Sequence, residues 1–129
     1  MVEADIRGKK FPLCLTVAAL DAINEKCGSL SQLSEFVRVK EDISVTVSNT
    51  AWLLALLIEE GENNRVVCAS LAGESAARQP VPSADDLRHI LTPAGAIRYR
   101  ILVMQAVAES MTQEIEATPS KNVESAERM

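Results

Sequence analysis

From Ile97 onward the chain places apolar residues at Ile97, Ile101, Met104, Ala108, Met111 and Ile115, spacings of four and three that mark one face of a helix. A second set, Tyr99, Leu102, Val103, Ala106 and Val107, widens this stripe and leaves only Arg98, Gln105, Glu109 and Thr112 as a narrow polar band. A helix apolar round most of its circumference cannot lie alone on a surface, because it needs cover on more than one side. The helix from Thr92 to Ala117 is therefore expected to be both core and contact surface. Its N-terminal half is assigned to the core and its C-terminal half to the contact, with Ile97, Ile101, Met104, Met111 and Ile115 as the candidate protein-contact seam. The second set is left to be covered by self-association or a partner. Unbranched methionines suit a surface that accepts varied apolar partners.

A chain of 129 residues is long enough to enclose one core without staples. Only Phe11, Phe36, Trp52 and Tyr99 are aromatic, so the core must come from aliphatic residues, which favours helix packing. The expected fold is mainly α: a single helical domain over residues 1–116 with an N-terminal β-hairpin and a long C-terminal helix. Residues 117–129, with Val123 as the one sizeable apolar side chain before Met129, read as a disordered tail. The net charge of −5 is uneven, with six Lys/Arg against five Asp/Glu in residues 1–40 and seven against thirteen thereafter. Arg7, Lys9 and Lys10 form the one dense basic run, too small for a phosphate-tracking face, so no nucleic acid is expected as the main partner. Met1 leads into charge rather than an apolar leader. The longest unbroken apolar run is Ala51–Ile58, short of the roughly 20 residues that span a bilayer, so no membrane is expected.

Local signals place the remaining elements. Gly8 sits between two short segments, and Phe11, Leu13 and Leu15 alternate with Pro12 and Cys14, predicting a hairpin with Pro12 on an edge strand. Val17, Leu20, Ile23 and Cys27 then recur at helical spacing up to Gly28, a suitable helix stop. Ser29 to Gln32 has capping-box spacing and predicts a second helix through Leu30, Leu33, Phe36 and Val37. Residues 43–47 alternate like a strand but run into Ser48-Asn49-Thr50, good N-cap chemistry, and are left unassigned. A helix is predicted over 49–60, ended by Gly61, then a long mobile connection over about 62–82, with at most a helical turn at 65–71. Ser83 caps a helix carrying Asp85 and Asp86 in its first turn, and Thr92-Pro93 opens the last.

Catalytic chemistry is scarce. His89, the one histidine, could be oriented by Asp85 one turn earlier, but nothing nominates a nucleophile or metal to accompany it, so it reads as a surface side chain. Glu59, Glu60 and Glu62 diverge around a helix and read as a solvated face. Cys14, Cys27 and Cys68 lack metal-ligand spacing and read as small core residues in a reducing compartment. No phosphate-binding glycine motif is present. No cofactor, metal or enzymatic activity is expected.

The run IRGKKFPLCLTVAALDAINEKCGSLSQL resembles the opening of the tail assembly chaperones of long-tailed phages and prophages. That opening is a hairpin of hydrophobic-x-Gly-Lys-x-aromatic-x-Leu form, then a helix with an Ala-Leu pair ending at glycine, then a short helix. WLLALLIEEGE, ADDLRHIL and the long C-terminal helix follow in the order such proteins use, extending the likeness to about residue 115. The 62–82 connection is longer than the family pattern. The resemblance implies a non-catalytic protein of the bacterial host cytoplasm that holds the tape measure protein soluble while tail tube protein assembles around it. A virion structural or connector protein is the second reading, and a small enzyme using His89 the third.

Overall fold

The computed structural model describes the backbone of residues 1–123 and the side chains of residues 1–112. Two strands, β1 (Glu3–Ile6) and β2 (Lys9–Pro12), pair antiparallel with Glu3 opposite Pro12 and Ile6 opposite Lys9. Five helices follow: α1 (Val17–Cys27), α2 (Leu33–Phe36), α3 (Ile43–Leu71), α4 (Ala84–Ile90) and α5 (Pro93–Val123). A single 3₁₀ turn at Leu30–Gln32 leads into α2. The expected mainly α domain with an N-terminal hairpin and long C-terminal helix is the fold observed.

The hairpin closes through Arg7 and Gly8, with φ of 54° and 89°, the paired positive values that a two-residue turn needs to match strand twist. Val2, Ala4 and Ile6 alternate inward along β1, and Leu13 is buried just beyond β2. Phe11 and Leu15 pack on the same core from its edge. Thr16 then caps α1, its hydroxyl accepting from Ala19 N at 3.1 Å, and Gly28, at φ 99°, ends it. Ala19 and Ile23 face inward from α1, whereas Val17, expected on that face, is exposed at its first turn.

The capping box expected at Ser29 does not form. The Ser29 hydroxyl instead meets that of Ser31 at 2.8 Å, and the chain takes a 3₁₀ turn before α2. Lys40 closes the other end of α2, its ammonium donating to the carbonyls of Glu35, Phe36 and Arg38 at 2.8, 3.2 and 3.2 Å, a favourable place for a cation.

The largest correction concerns α3. Residues 43–47, left unassigned, and 62–71, placed in a mobile connection, are both parts of this one helix of 29 residues. Asp42 is its cap, accepting from Ser44 N at 3.0 Å. The polar run that imitates a cap further along has another use. The Thr46 hydroxyl accepts from Lys40 N at 2.8 Å, and the Asn49 amide donates to the Phe36 carbonyl at 2.9 Å, fastening the α2–α3 corner. Ala51, Leu53, Leu54, Ala55, Leu57 and Ile58 are all buried; successive positions differ by about 100°, so α3 is covered round most of its circumference, with half-buried Trp52 and Leu56 on its more open side, and is the central helix. An 18-residue window of α3 has a mean hydropathy of 1.2, so by length and composition the helix is long and apolar enough to cross a membrane, which the eight-residue unbroken run understated. In this fold its middle turns are enclosed by the hairpin, α1, α4 and α5.

Gly61 does not end α3; it lies buried inside it. A β-carbon there would collide with the Pro12 carbonyl. The missing side chain lets the exit of β2 cross the helix, where Cys14 N donates to the Leu57 carbonyl at 3.2 Å.

Beyond Leu71, the chain to Ser83 is fastened back onto α3 by Glu62. This buried carboxylate receives Arg65 Nε at 3.0 Å and a second guanidinium N–H at 2.6 Å. It also accepts from Gln79 N at 2.6 Å. Arg65 donates in turn to the Ala77 carbonyl at 2.7 Å, and Arg78 donates to Asn63. The Arg65 hydrogen bond and the Gln79 N–H together hold the Glu62 carboxyl down to about 2. Ser83 and Asp86 form a reciprocal capping box at 3.0 Å each way, and Thr92 accepts from Gly95 N at 3.1 Å to start α5. The backbone of α5 runs to Val123, past the expected Ala117. The tail expected over 117–129 falls on these last turns, whose side chains lie outside the described residues, and on 124–129, which lie outside them altogether.

Two outcomes follow. Gly61→Ala should lower stability by about 1–3 kcal/mol, even though alanine exceeds glycine as a helix former by about 1 kcal/mol, because overpacking against backbone outweighs propensity. Urea denaturation measures this; an unchanged or higher midpoint would mean that the hairpin exit yields freely. Glu62→Gln should destabilise the protein at pH 7. The wild-type carboxyl titrates lower when folded than when unfolded, so its contribution is complete above about pH 4.5 and is lost as pH falls toward 2. Melting curves of the two proteins should therefore differ by a constant amount from pH 7 to 5 and converge below pH 4.5.

Candidate functional site

Helix α5 is apolar on two opposite sides, and the fold uses one. Ala96, Val103, Ala106 and Val107 are buried, with Tyr99 and Leu102 packed beside them. The hairpin pins this side: the Tyr99 hydroxyl donates to the Asp5 carbonyl, and Glu109 Oε1 accepts from Val2 N at 3.1 Å. Burial and the nearby Asp5 charge push the Tyr99 phenol up, in that order of weight, keeping it a donor.

This reverses the assignment expected of the two sets. Tyr99, Leu102, Val103, Ala106 and Val107, expected to need outside cover, are the set that the rest of the chain covers. The contact seam stands on the far side, since Ile101 and Val103 are about 200° apart on the helix. Ile101 is 60% exposed and Met111 41%, and Ala108 between them is exposed as well. Ile97 is half-buried, and half-buried Met104 reaches inward to the core. Ile115 lies outside the residues whose side chains are described. The N-terminal half of α5 is thus not simply core: Ile101, within that half, is the most open large apolar side chain of the seam among the described residues.

The polar candidates do not converge. His89 is exposed, its Nδ1 on the Asp85 carbonyl at 2.9 Å, while the Asp85 carboxylate faces Arg88 at 3.5 Å. The carboxylate–imidazole pair conceived from spacing is not made. Glu59, Glu60 and Glu62 have separate partners: Arg78 at 3.9 Å, the Thr16 hydroxyl at 2.7 Å and the Arg65 clamp. Glu62 is buried, not solvated. Among the described residues no three His, Cys, Asp or Glu side chains gather closely enough to hold a metal. Cys27 packs at the core edge and Cys14 is half-buried, but Cys68, expected inside, is exposed near the end of α3. Burial pushes the thiols of Cys14 and Cys27 up, away from the thiolate form that a nucleophile requires.

Two clefts were not legible from spacing, because each joins distant segments. One, of about 320 Å³, lies between α3 and the approach to α4, walled by Trp52, Leu56, Val81 and Pro82 with Glu59 at one side. Trp52 also meets Phe36 edge to face at 5.7 Å between centroids, and the Lys26 ammonium stands 5.7 Å from its ring. The other, of about 170 Å³, lies where the hairpin turn meets the start of α5, with Arg7, Arg98 and Tyr99 in its wall. Neither holds a cluster of titratable groups arranged for acid–base work. The uncovered face of α5 is the candidate site, and what it offers is exposed apolar surface. Compared with protein-family models, curated proteins and solved structures, the chain matches none.

Proposed function

We propose that this protein is a non-catalytic tail assembly chaperone of a long-tailed phage or prophage, which binds an apolar helical stretch of the tape measure protein in the host cytoplasm and keeps it soluble for tail tube assembly. The observation that carries the reading is the outer face of α5: Ile101, Ala108 and Met111 are exposed on a helix whose opposite face is already anchored in the core. Such a face offers apolar cover to another helix without unfolding its owner. The likeness of residues 6–33 to the family's opening supports the choice of partner. A net charge of −5 suits a protein that must keep an aggregation-prone partner in solution.

Co-expression with a tape measure fragment tests this. The wild-type chain should co-purify with the fragment and be absent from finished particles. Ile101→Glu with Met111→Glu should abolish co-purification while leaving Tm nearly unchanged, because substitutions at exposed positions usually move stability by no more than about 0.5 kcal/mol. Retention in mature virions would instead favour a structural or connector role, and capture that survives the double substitution would remove α5 from the contact.

A further inference from the structure

We infer that the cleft between the hairpin turn and the start of α5 is a binding site for the free carboxylate end of a polypeptide whose last side chain is apolar. Its volume is about 170 Å³, below the roughly 300–1,000 Å³ of sites that enclose a whole small molecule. One side chain with its carboxylate is the size of group it suits. Arg7 and Arg98 line it together with Ile6, Ile90, Leu91 and Tyr99, two permanent positive charges beside an apolar wall. The arginines come from different elements, which the Tyr99 hydroxyl joins by donating to the Asp5 carbonyl.

The charge in this cleft is unclaimed. Arg38, Arg65, Arg78 and Arg88 each meet a carboxylate of this chain, whereas among the described residues Arg7 and Arg98 meet none. The Asp5 carboxylate, on the same hairpin, accepts from Gly8 N at 3.0 Å and pairs with neither. Of the dense basic run, Lys9 stands over the Phe11 ring at 5.2 Å and Lys10 lies opposite Asp5 in the strand pair, so Arg7 alone brings that run's charge to the cleft. In a protein of net charge −5, two unpaired guanidinium groups at one apolar-walled hollow are complementary to an acid.

The lining narrows the kind of acid. Guanidinium forks hold a carboxylate through paired N–H bonds. A phosphate has more oxygens to satisfy and finds the neighbouring donors taken, Gly95 N by the Thr92 hydroxyl at 3.1 Å and the Tyr99 hydroxyl by Asp5. An Asp or Glu side chain would bring the charge but little apolar surface to lay on Ile6, Ile90 and Leu91. A free amino acid would bring an ammonium group, and no carboxylate lines the cleft to receive it. The last residue of a polypeptide carries carboxylate and apolar side chain on one Cα, with its nitrogen neutral as an amide. The inference does not rest on the chaperone reading and uses none of the residues that carry it.

Titration of the full isotope-labelled chain with acetyl-Gly-Gly-Leu bearing a free carboxylate should shift the amide resonances of Gly8, Leu91 and Gly95 saturably, with a dissociation constant of roughly a millimolar or less. The C-terminal amide of the same peptide, free leucine and inorganic phosphate should each bind at least about tenfold more weakly. Arg98→Gln and Arg7→Asn, the latter keeping a residue that accepts the positive φ of that turn, should each weaken the acid peptide about tenfold with an unchanged helical circular dichroism spectrum. Lys10→Gln, outside the cleft, should leave the affinity within about twofold, which separates a built site from diffuse positive potential. No saturable shift below roughly ten millimolar peptide, an amide that binds as well as the acid, phosphate that binds better, or a loss on Lys10→Gln equal to that on Arg98→Gln would each overturn the inference. Isocaproate, an acid with the same branched body but no chain, would overturn the assignment to a polypeptide end by binding more tightly than the peptide. Any of these failures leaves capture of the tape measure fragment, and with it the chaperone reading, untouched.

Discussion

The Pro12 carbonyl rests where a β-carbon on residue 61 would be, and this close crossing of backbone over helix organises the molecule. It seats the end of the hairpin on the middle of α3, so that Leu13 enters the core and Cys14 N can reach the Leu57 carbonyl. Two residues later Thr16 caps α1 and donates to Glu60, one helical position from Gly61. The start of α1 is thereby fixed against α3, and Ile23 is carried into the core. From the hairpin's other strand, Asp5 and Val2 reach α5 through Tyr99 and Glu109. One absent side chain thus lets a small sheet act as the joint between the central helix and the two helices beside it.

The same glycine explains why α3 was the least legible element. In sequence a glycine after a run of helix formers reads as a stop, and Ser48-Asn49-Thr50 reads as a start, because both patterns are common at helix ends. Here the glycine answers to a segment 49 residues earlier in the chain, and Asn49 answers to a carbonyl on α2; neither partner can be inferred from local spacing. Glu62 follows the same logic in part: Arg65 is one turn along its own helix, but Gln79, whose N–H it also accepts, is 17 residues further on. Where a signal is settled within a few residues the reading mostly succeeded, Ser29 being the exception, since its hydroxyl meets Ser31 instead of capping a helix. Gly8 with its positive φ, Gly28 closing α1, the Ser83–Asp86 box and Thr92 before Pro93 all bond within their own turn.

Helix α5 shows a third kind of limit. Its apolar residues were evident, but two apolar sets on opposite sides give no local sign of which one meets the core. The deciding facts are tertiary: α3 and the hairpin lie against Val103, Ala106 and Tyr99, whose small or flat side chains allow close approach. Ile101 and Met111 fall on the outside.

That distribution bears on what the outer face is for. Folding places little requirement on Ile101 to be apolar, since it is largely in solvent, and Met111 is open over about two fifths of its surface, 41%. Among the described residues of this face, Met104 packs against the core and Ile97 is half-buried. An isoleucine 60% exposed in the middle of a helix forgoes part of the roughly 1.5–3 kcal/mol that full burial would yield. Ala108 and Met111 continue the exposed apolar surface toward the C-terminal end of the helix. The energy forgone within the single chain would be recovered by any apolar surface packed on this face, and α5, already held by its inner face, would need no reordering of its backbone to receive it.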